Sequence, residues 1–316
     1  MPKKRESLSV IIPIYNEEET IPLLYERLAA VLKNLALASE IVFVNDGSRD
    51  RSLALLKELA SKDKRLRIID LARNFGHQIA ISAGIDHASG NAVVLMDGDL
   101  QDPPEMIATF IKKWKEGFEV VYAVRKKRKE NLLKRSGYVI FYRLLRKISS
   151  VEIPLDSGDF SLMDRRIVDT LRAMPERNRF IRGIRSWVGF RQCGIEYERD
   201  RRYAGEVKYT FAKLLRLATD GIFAFSYLPL RVATYLGLTV AATSFLLAVF
   251  YFIEKIVSGI DTKGWASTMI IILFLGGVQL LTIGIMGEYV GRIYDEVKQR
   301  PLYIVNEKIG WRKQTV

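Results

Sequence analysis

The sequence predicts an α/β fold, a doubly wound and mostly parallel sheet, followed by two membrane-spanning helices. Three observations carry this. Short β-branched runs alternate with longer amphipathic segments as far as Ala123; each run ends in a short polar turn; and two long uncharged stretches lie near the C-terminus. Strand–helix alternation favours parallel strands joined by right-handed crossovers. Ligands of such sheets sit beyond the carboxyl ends of the strands.

In chain order, the N-terminus Met1–Glu6 is basic but runs into a short apolar stretch containing Pro13, which lacks the long apolar region of a signal peptide. The first domain is therefore expected in the cytosol. Leu8–Ile14, Ile41–Asn45, Leu66–Asp70, Ala92–Met96 and Val120–Ala123 read as strands. They are followed by Tyr15-Asn16-Glu17, by Asp46-Gly47-Ser48, by Arg73-Asn74-Phe75-Gly76 and, after the fourth, by Asp97-Gly98-Asp99. The segments Tyr138–Ile148 and Tyr209–Phe225 mix aromatic and aliphatic residues with Lys and Arg, as helices lying in a headgroup plane do; a basic-edged helix on the protein's own core gives the same pattern.

No charge occurs from Val232 to Ile253, nor from Gly264 to Gly287, and either stretch is long enough to cross a hydrocarbon core of about 30 Å. Lys213, Arg216 and Arg231 precede the pair and Arg292, Lys298 and Arg300 follow it, against Lys255 and Lys263 between them, so the positive-inside rule places both termini in the cytoplasm. The expected organisation is a cytosolic domain over 1–226, with interfacial helices at about 136–149 and 208–226. A transmembrane region over 227–290 holds helices at about 231–254 and 264–287, and 291–316 forms a cytosolic tail. Gly276-Gly277 and Gly284 permit close helix packing and hence a homo-oligomer.

The 316 residues carry a formal net charge of +13, an excess of Lys and Arg suited to phosphate on nucleic acid, lipid or a phosphorylated substrate. A nucleic-acid partner is disfavoured, because there is no recognition helix or aromatic-basic RNA motif and spanning helices would go unexplained. A single cysteine, Cys193, excludes an intramolecular disulfide and any Cys-rich metal site. Neither GxGxxG after the first strand nor GxxxxGK[ST] anywhere is present, which argues against dinucleotide oxidoreductases and P-loop nucleotidases.

Asp97 and Asp99 stand one residue apart at a strand end, where two carboxylates can offer oxygens to a hard divalent cation held by nucleotide phosphates. The motif continues through Leu100-Gln101-Asp102-Pro103-Pro104-Glu105, a polar turn opening a helix. Asp46 can accept hydrogen bonds from a base or ribose, or simply cap the next helix. Asp156-Ser157-Gly158-Asp159-Phe160 reads as an acidic turn whose carboxylate can orient or deprotonate an acceptor, or as a structural turn. His77 and His87 are too isolated for a metal site and read as surface or core histidines. Arg201-Arg202-Tyr203-Ala204-Gly205-Glu206-Val207-Lys208 reads as a basic lid over a phosphate or as a juxtamembrane linker.

Taken together, Pro13–Glu17, Asn45–Ser48, Arg73–His77, Asp97–Glu105, Gly158-Asp159-Phe160 and Gly205–Tyr209 resemble the polyprenyl-phosphate glycosyltransferases of family 2, inverting enzymes of the GT-A type. The resemblance covers most of the chain, and the two C-terminal helices look most like the bacterial branch acting on undecaprenyl phosphate. It implies that Pro13, Tyr15, Glu17, Asp46, Asp97 and Gly76 contact a nucleotide-sugar and that Asp97, Asp99 and Gln101 hold Mg2+ or Mn2+. It also implies that Asp159, with Asp99, does the catalytic work. Arg125, Arg135, Arg201, Arg202 and Lys208 would meet the acceptor phosphate or close over it. Val207 stands where the family's loop commonly has serine. The implied activity is transfer of a hexose, with UDP-glucose the expected donor, to a polyprenyl phosphate at an anionic membrane surface of the inner membrane. The alternatives are the same reaction with GDP-mannose or another donor, and a non-catalytic nucleotide-sugar sensor or scaffold on the same fold, which predicts loss of the acidic residues that this chain retains.

Overall fold

The computed structural model describes residues 6–35, 37–125, 157–177, 179–198, 228–258 and 264–311. Arg135, Arg201, Arg202, Lys208 and both expected interfacial helices lie outside these residues. The chain divides into two compact units, one built from the N-terminal part with residues 300–316, the other from the C-terminal helices.

In the first unit an eight-stranded sheet holds, in chain order, β1 (Ser7–Ile14), β2 (Ala38–Asn45), β3 (Leu66–Leu71), β4 (Ala92–Leu95), β5 (Val120–Arg125), β6 (Ser157–Asp164), β7 (Gln192–Tyr197) and β8 (Val305–Ile309). The spatial order is β7-β5-β6-β4-β1-β2-β3-β8. β1 pairs in parallel with β2 and β4, as β2 does with β3 and β5 with β7. β6 runs antiparallel to both β4 and β5, and β8 antiparallel to β3.

The helices α1 (Ile21–Asn34), α2 (Ser52–Lys62), α3 (His77–His87) and α4 (Met106–Lys115) connect the early strands, and α5 (Arg165–Ala173) and α6 (Ile181–Trp187) follow β6. Helices cover both faces of a parallel sheet, so its central strands read as unbroken apolar runs, as VIIPI in β1 and AVVL in β4 do. α1 starts with proline in its first turn and buries Ile21, Leu24, Leu28 and Leu32, one face of a 3.6-residue period.

β6 corrects the reading of 156–160 as a turn, because Asp159 lies inside a strand wedged between β4 and β5. Every residue from Ser157 to Met163 is buried. With both faces covered, polar residues are mixed into the strand and the period-2 signature disappears. The second difference lies after the helices, where Val305–Ile309 of the expected tail forms an edge strand of the sheet.

The second unit contains α7 (Leu228–Ser258) and α8 (Trp265–Val297). The stretches Leu228–Glu254 and Ile271–Val297 have mean hydropathies of 2.1 and 1.8 and bury none of their most apolar windows. Phe245, Leu246, Phe252, Leu273 and Leu280 are all more than half exposed, unlike the buried helices of a soluble core. At 27 residues each, either stretch is about 40 Å long, more than a hydrocarbon core requires.

Candidate active site

The turns after β1, β2, β3 and β4 converge at the carboxyl edge of the sheet and are tied together by side chains from the strand ends. Asn16 adopts a left-handed φ of 54°, which asparagine tolerates; its N–H donates to Ser48 Oγ (3.0 Å) and its Oδ1 accepts from the Arg49 N–H (2.8 Å). Glu17 donates its N–H to Ser52 Oγ, while its carboxylate accepts from Thr20 Oγ1. Pro13 is buried within β1, and Tyr15 beyond it stays 44% exposed.

Asp46 is 3% exposed and its two oxygens accept the backbone N–H groups of Phe75 (2.7 Å) and Gly76 (3.0 Å). Burial pushes its carboxyl up, and those two amides with the charges of His77 and Arg73 pull the other way. The structure thus places Asp46 as the anchor of the loop that opens α3, with Gly76 at the N-cap.

Asp97 and Asp99 follow β4. A Cβ on Gly98 would lie 2.7 Å from Ile14 Cδ1 and 3.2 Å from the Pro13 carbonyl oxygen, so glycine lets this turn lie directly on the end of β1 without displacing Ile14. Leu100, 2% exposed, sits at φ 59°, a left-handed conformation costing a bulky residue roughly 1–2 kcal/mol. That turn folds the Asp99 carboxylate back to accept the Gln101 N–H at 3.1 Å. Asp102, buried, accepts from the Tyr197 hydroxyl at 2.7 Å. Arg125, at the end of β5, reaches over Gly158; burial disfavours its charge, but Tyr197, Asp102 and Asp97 hold its pKa above the ordinary value.

Three side chains not foreseen at the site meet Asp159. His77 donates from Nε2 to Asp97 Oδ1 at 3.0 Å, and its Nδ1 lies 3.9 Å from Asp159 Oδ2. Burial works against the imidazolium, yet Asp97 first, then Asp159 and Asp46, push its pKa up to about 9. The ring stays 46% exposed, so solvent screens part of that attraction. The expectation of an ordinary surface or core histidine is therefore corrected: His77 lies between Asp97, a candidate for donor and metal binding, and Asp159, a catalytic candidate. Gln78 donates from Nε2 to Asp159 Oδ2 at 3.1 Å and accepts the Ile181 N–H on Oε1, fixing α6 to the site. From α6, Arg182 Nε stands 3.6 Å from Asp159 Oδ1. Arg185 is fully buried beside the Gly158 carbonyl, and burial draws its pKa down to about 10.

A cavity of about 390 Å³ opens at the ends of β2 and β3, lined by Tyr15, Asn45, Asp70, Arg73, Asn74 and Asn306 among others. His77 and Gln78 could have been found by following the Arg73–Gly76 turn two residues into α3, and Asp70 ended a predicted strand. No local pattern marked Asn306, Arg182 or Arg185.

Among the described residues, no three His, Cys, Asp or Glu side chains gather into a self-sufficient metal cage. The donor chemistry nonetheless fits a shared cation, since Mg2+ and Mn2+ take hard oxygen ligands and commonly bind through one or two carboxylates plus substrate phosphates and water. Asp97, Asp99 and the Gln101 amide oxygen are oxygen donors of that kind, and would contribute to such a set.

A cavity at the ends of β2 and β3 and a carboxylate pair after β4 stand at the carboxyl ends of a mostly parallel sheet, where nucleotide-binding transferases hold their donors, and the chain belongs to glycosyl transferase family 2, whose model matches residues 9–172. A second model, the GtrB C-terminal hairpin, matches 228–293. Among curated relatives, an uncharacterised glycosyltransferase of Bacillus subtilis (strain 168) is 50% identical over 96% of this chain and 94% of its own. The bactoprenol glucosyl transferase of Shigella phage SfII is 46% identical over 95% and 97%. Among solved structures, glucosyl-3-phosphoglycerate synthase from Mycobacterium tuberculosis, with Mn2+, uridine-diphosphate-glucose and phosphoglyceric acid, aligns with 69% of this chain and 78% of its own at 16% identity and TM-score 0.47.

Proposed function

We propose that this glycosyltransferase moves glucose from UDP-glucose to undecaprenyl phosphate, with inversion, at the cytoplasmic face of the inner membrane. The observation that carries the reading is the pair of Asp97 and Asp159 brought together through His77 at the end of a sheet whose neighbouring strands β2 and β3 open a cavity of about 390 Å³. The names of the bactoprenol glucosyl transferases that resemble this chain over nearly its whole length support the sugar and the acceptor. The exposed apolar faces of α7 and α8 support membrane insertion. Because β8 follows both helices and pairs with β3, which precedes them, the segments before and after the helices lie on one side of the membrane, and the positive-inside rule supports the cytoplasmic side. The cytosolic unit would comprise 1–226 with the C-terminal strand, and its excess of cations suits an anionic leaflet.

In this reading an oxygen of the acceptor phosphate bonds to the anomeric carbon as the bond from that carbon to the donor diphosphate breaks, and the electron pair leaves with UDP. The acceptor is already an anion, so no strong base is needed. Asp159, hydrogen-bonded by Gln78 and facing Arg182, orients and balances charge rather than abstracting a proton. His77, Arg125 and Arg182 surround the path of two anions with fixed cations. Arg135, Arg201, Arg202 and Lys208 are proposed to add to them at the acceptor phosphate and lid. Asp97, Asp99 and Gln101 would hold Mg2+ or Mn2+, which supplies charge neutralisation at the departing diphosphate.

The test is transfer of radiolabelled sugar from a panel of nucleotide-sugars to undecaprenyl phosphate by the purified full chain. Labelled lipid from UDP-glucose, abolished by EDTA and reduced at least 100-fold in Asp99→Ala and Asp159→Ala, is the expected result (order of magnitude). Nucleotide binding without lipid product from any donor would overturn it in favour of a sensor or scaffold.

A further inference from the structure

We propose that Asn45, Asp70 and Asn306 form a base-reading edge that selects a uracil nucleotide, with the third member supplied by the strand that follows the apolar helices. This deepens the donor-site reading above and rests on it. Asp70, 4% exposed, is the penultimate residue of β3 and lines the cavity. Its Oδ1 accepts from Asn45 Nδ2 and its Oδ2 from Asn306 Nδ2, each at 2.7 Å. A carboxylate has about four acceptor positions and each amide nitrogen two hydrogens, so every member keeps hydrogen-bonding capacity. The trio therefore offers the cavity a donor, an acceptor and a donor in sequence.

The pairing edge of uracil presents the complement, with carbonyl, N–H and carbonyl in a row. Cytosine sets an amine against an amide N–H and a ring nitrogen against the carboxylate. Guanine satisfies two positions but sets its amine against the third, and adenine lacks the central donor. Sites built around buried polar groups reject ligands that leave those groups unpaired far more strongly than apolar pockets reject a misfit. Tyr15, 44% exposed on the same cavity, supplies an aromatic face on which a base can stack.

The placement of Asn306 is a backbone device. Asp70 pairs with Glu307 and Leu71 with Val305, so Asn306 is an extra residue in β8. In a regular ladder Asn306 would pair with Leu71 and point to the face opposite Asp70; the bulge re-aims it onto the carboxylate. The Ala72 N–H then resumes the ladder on the Ile304 carbonyl at 2.9 Å.

The experiment measures equilibrium binding of UDP, CDP, GDP and ADP to the detergent-solubilised full chain, wild type beside Asn306→Ala and Asn306→Ser. Wild type should favour UDP over CDP by about 100-fold, and both variants should lose about tenfold or more in UDP affinity with a smaller loss for CDP, so that discrimination narrows. Equal wild-type affinity for UDP and CDP, a preference for GDP, or a parallel fall for all four nucleotides in the variants would each overturn the inference. Absence of any nucleotide binding by folded wild type would instead sink the donor-site reading beneath it.

Discussion

Replacing Asp46 by asparagine tests whether this buried carboxylate holds the β3–α3 turn or touches the donor. The carboxylate accepts the Phe75 and Gly76 N–H groups with separate oxygens. Asparagine keeps one oxygen and turns an NH2 toward the other amide, leaving a half-buried donor facing a donor. An orphaned N–H facing a buried side chain costs about 1–3 kcal/mol, and loss of charge on the surviving bond about 1 kcal/mol more. Together these make local opening easier by about 2–4 kcal/mol, or about 30- to 900-fold at 1.36 kcal/mol per decade. Native-state hydrogen exchange of the segment spanning Ala72–Ala80, without nucleotide, reads this directly, because the turn opens locally before the core does. Exchange in Asp46→Asn within about threefold of wild type would refute the anchor; weakened nucleotide binding alongside it would assign Asp46 to the donor directly.

Two further outcomes follow from the same geometry. In metal-free protein the His77 ring should titrate near 9 by NMR and fall back toward its ordinary value in Asp97→Asn. Since its folded pKa is raised, the stability it contributes is fully present below about 6.5 and is lost as pH rises through about 9; a titration midpoint at or below 6.5 in wild type would contradict the ion pair. In Gly84→Ala the new methyl would stand 2.2 Å from Ile11 Cγ2, so α3 must move off β1. Overpacking should destabilise by about 1–3 kcal/mol, offset in part by alanine's helix propensity, and a melting temperature equal to wild type would show that the helix shifts freely.

The parallel half of the sheet was legible because its strands are buried on both faces and its turns carry Asp, Asn and Gly at the strand ends. The same rule found Asp97, Asp99 and Asp46. It could not find β6, where Ser157, Gly158, Asp159 and Ser161 give a buried strand the composition of a turn. Nor could it find β8, whose VNEKI is too short and charged to announce itself. Arg182 and Arg185 escaped because they lie on a seven-residue helix whose meaning depends on what Gln78 holds beside it. His77 reads as isolated because sequence spacing says nothing about two aspartates that approach it across 20 and 82 residues of chain.

The edge position of β8 also bears on how the protein is made. Until Val305–Ile309 is synthesised, β3 carries an open row of backbone donors and acceptors, the kind of edge on which other chains can pair. At usual elongation rates, the chain from Leu71 to Val305 takes roughly 10–50 s to emerge, and both apolar helices are produced within that interval. The sheet begun before the two apolar helices is thus completed only after them, its edge strand arriving behind the segments destined for the lipid, and a nascent chain stalled before residue 305 is exposed to aggregation through β3.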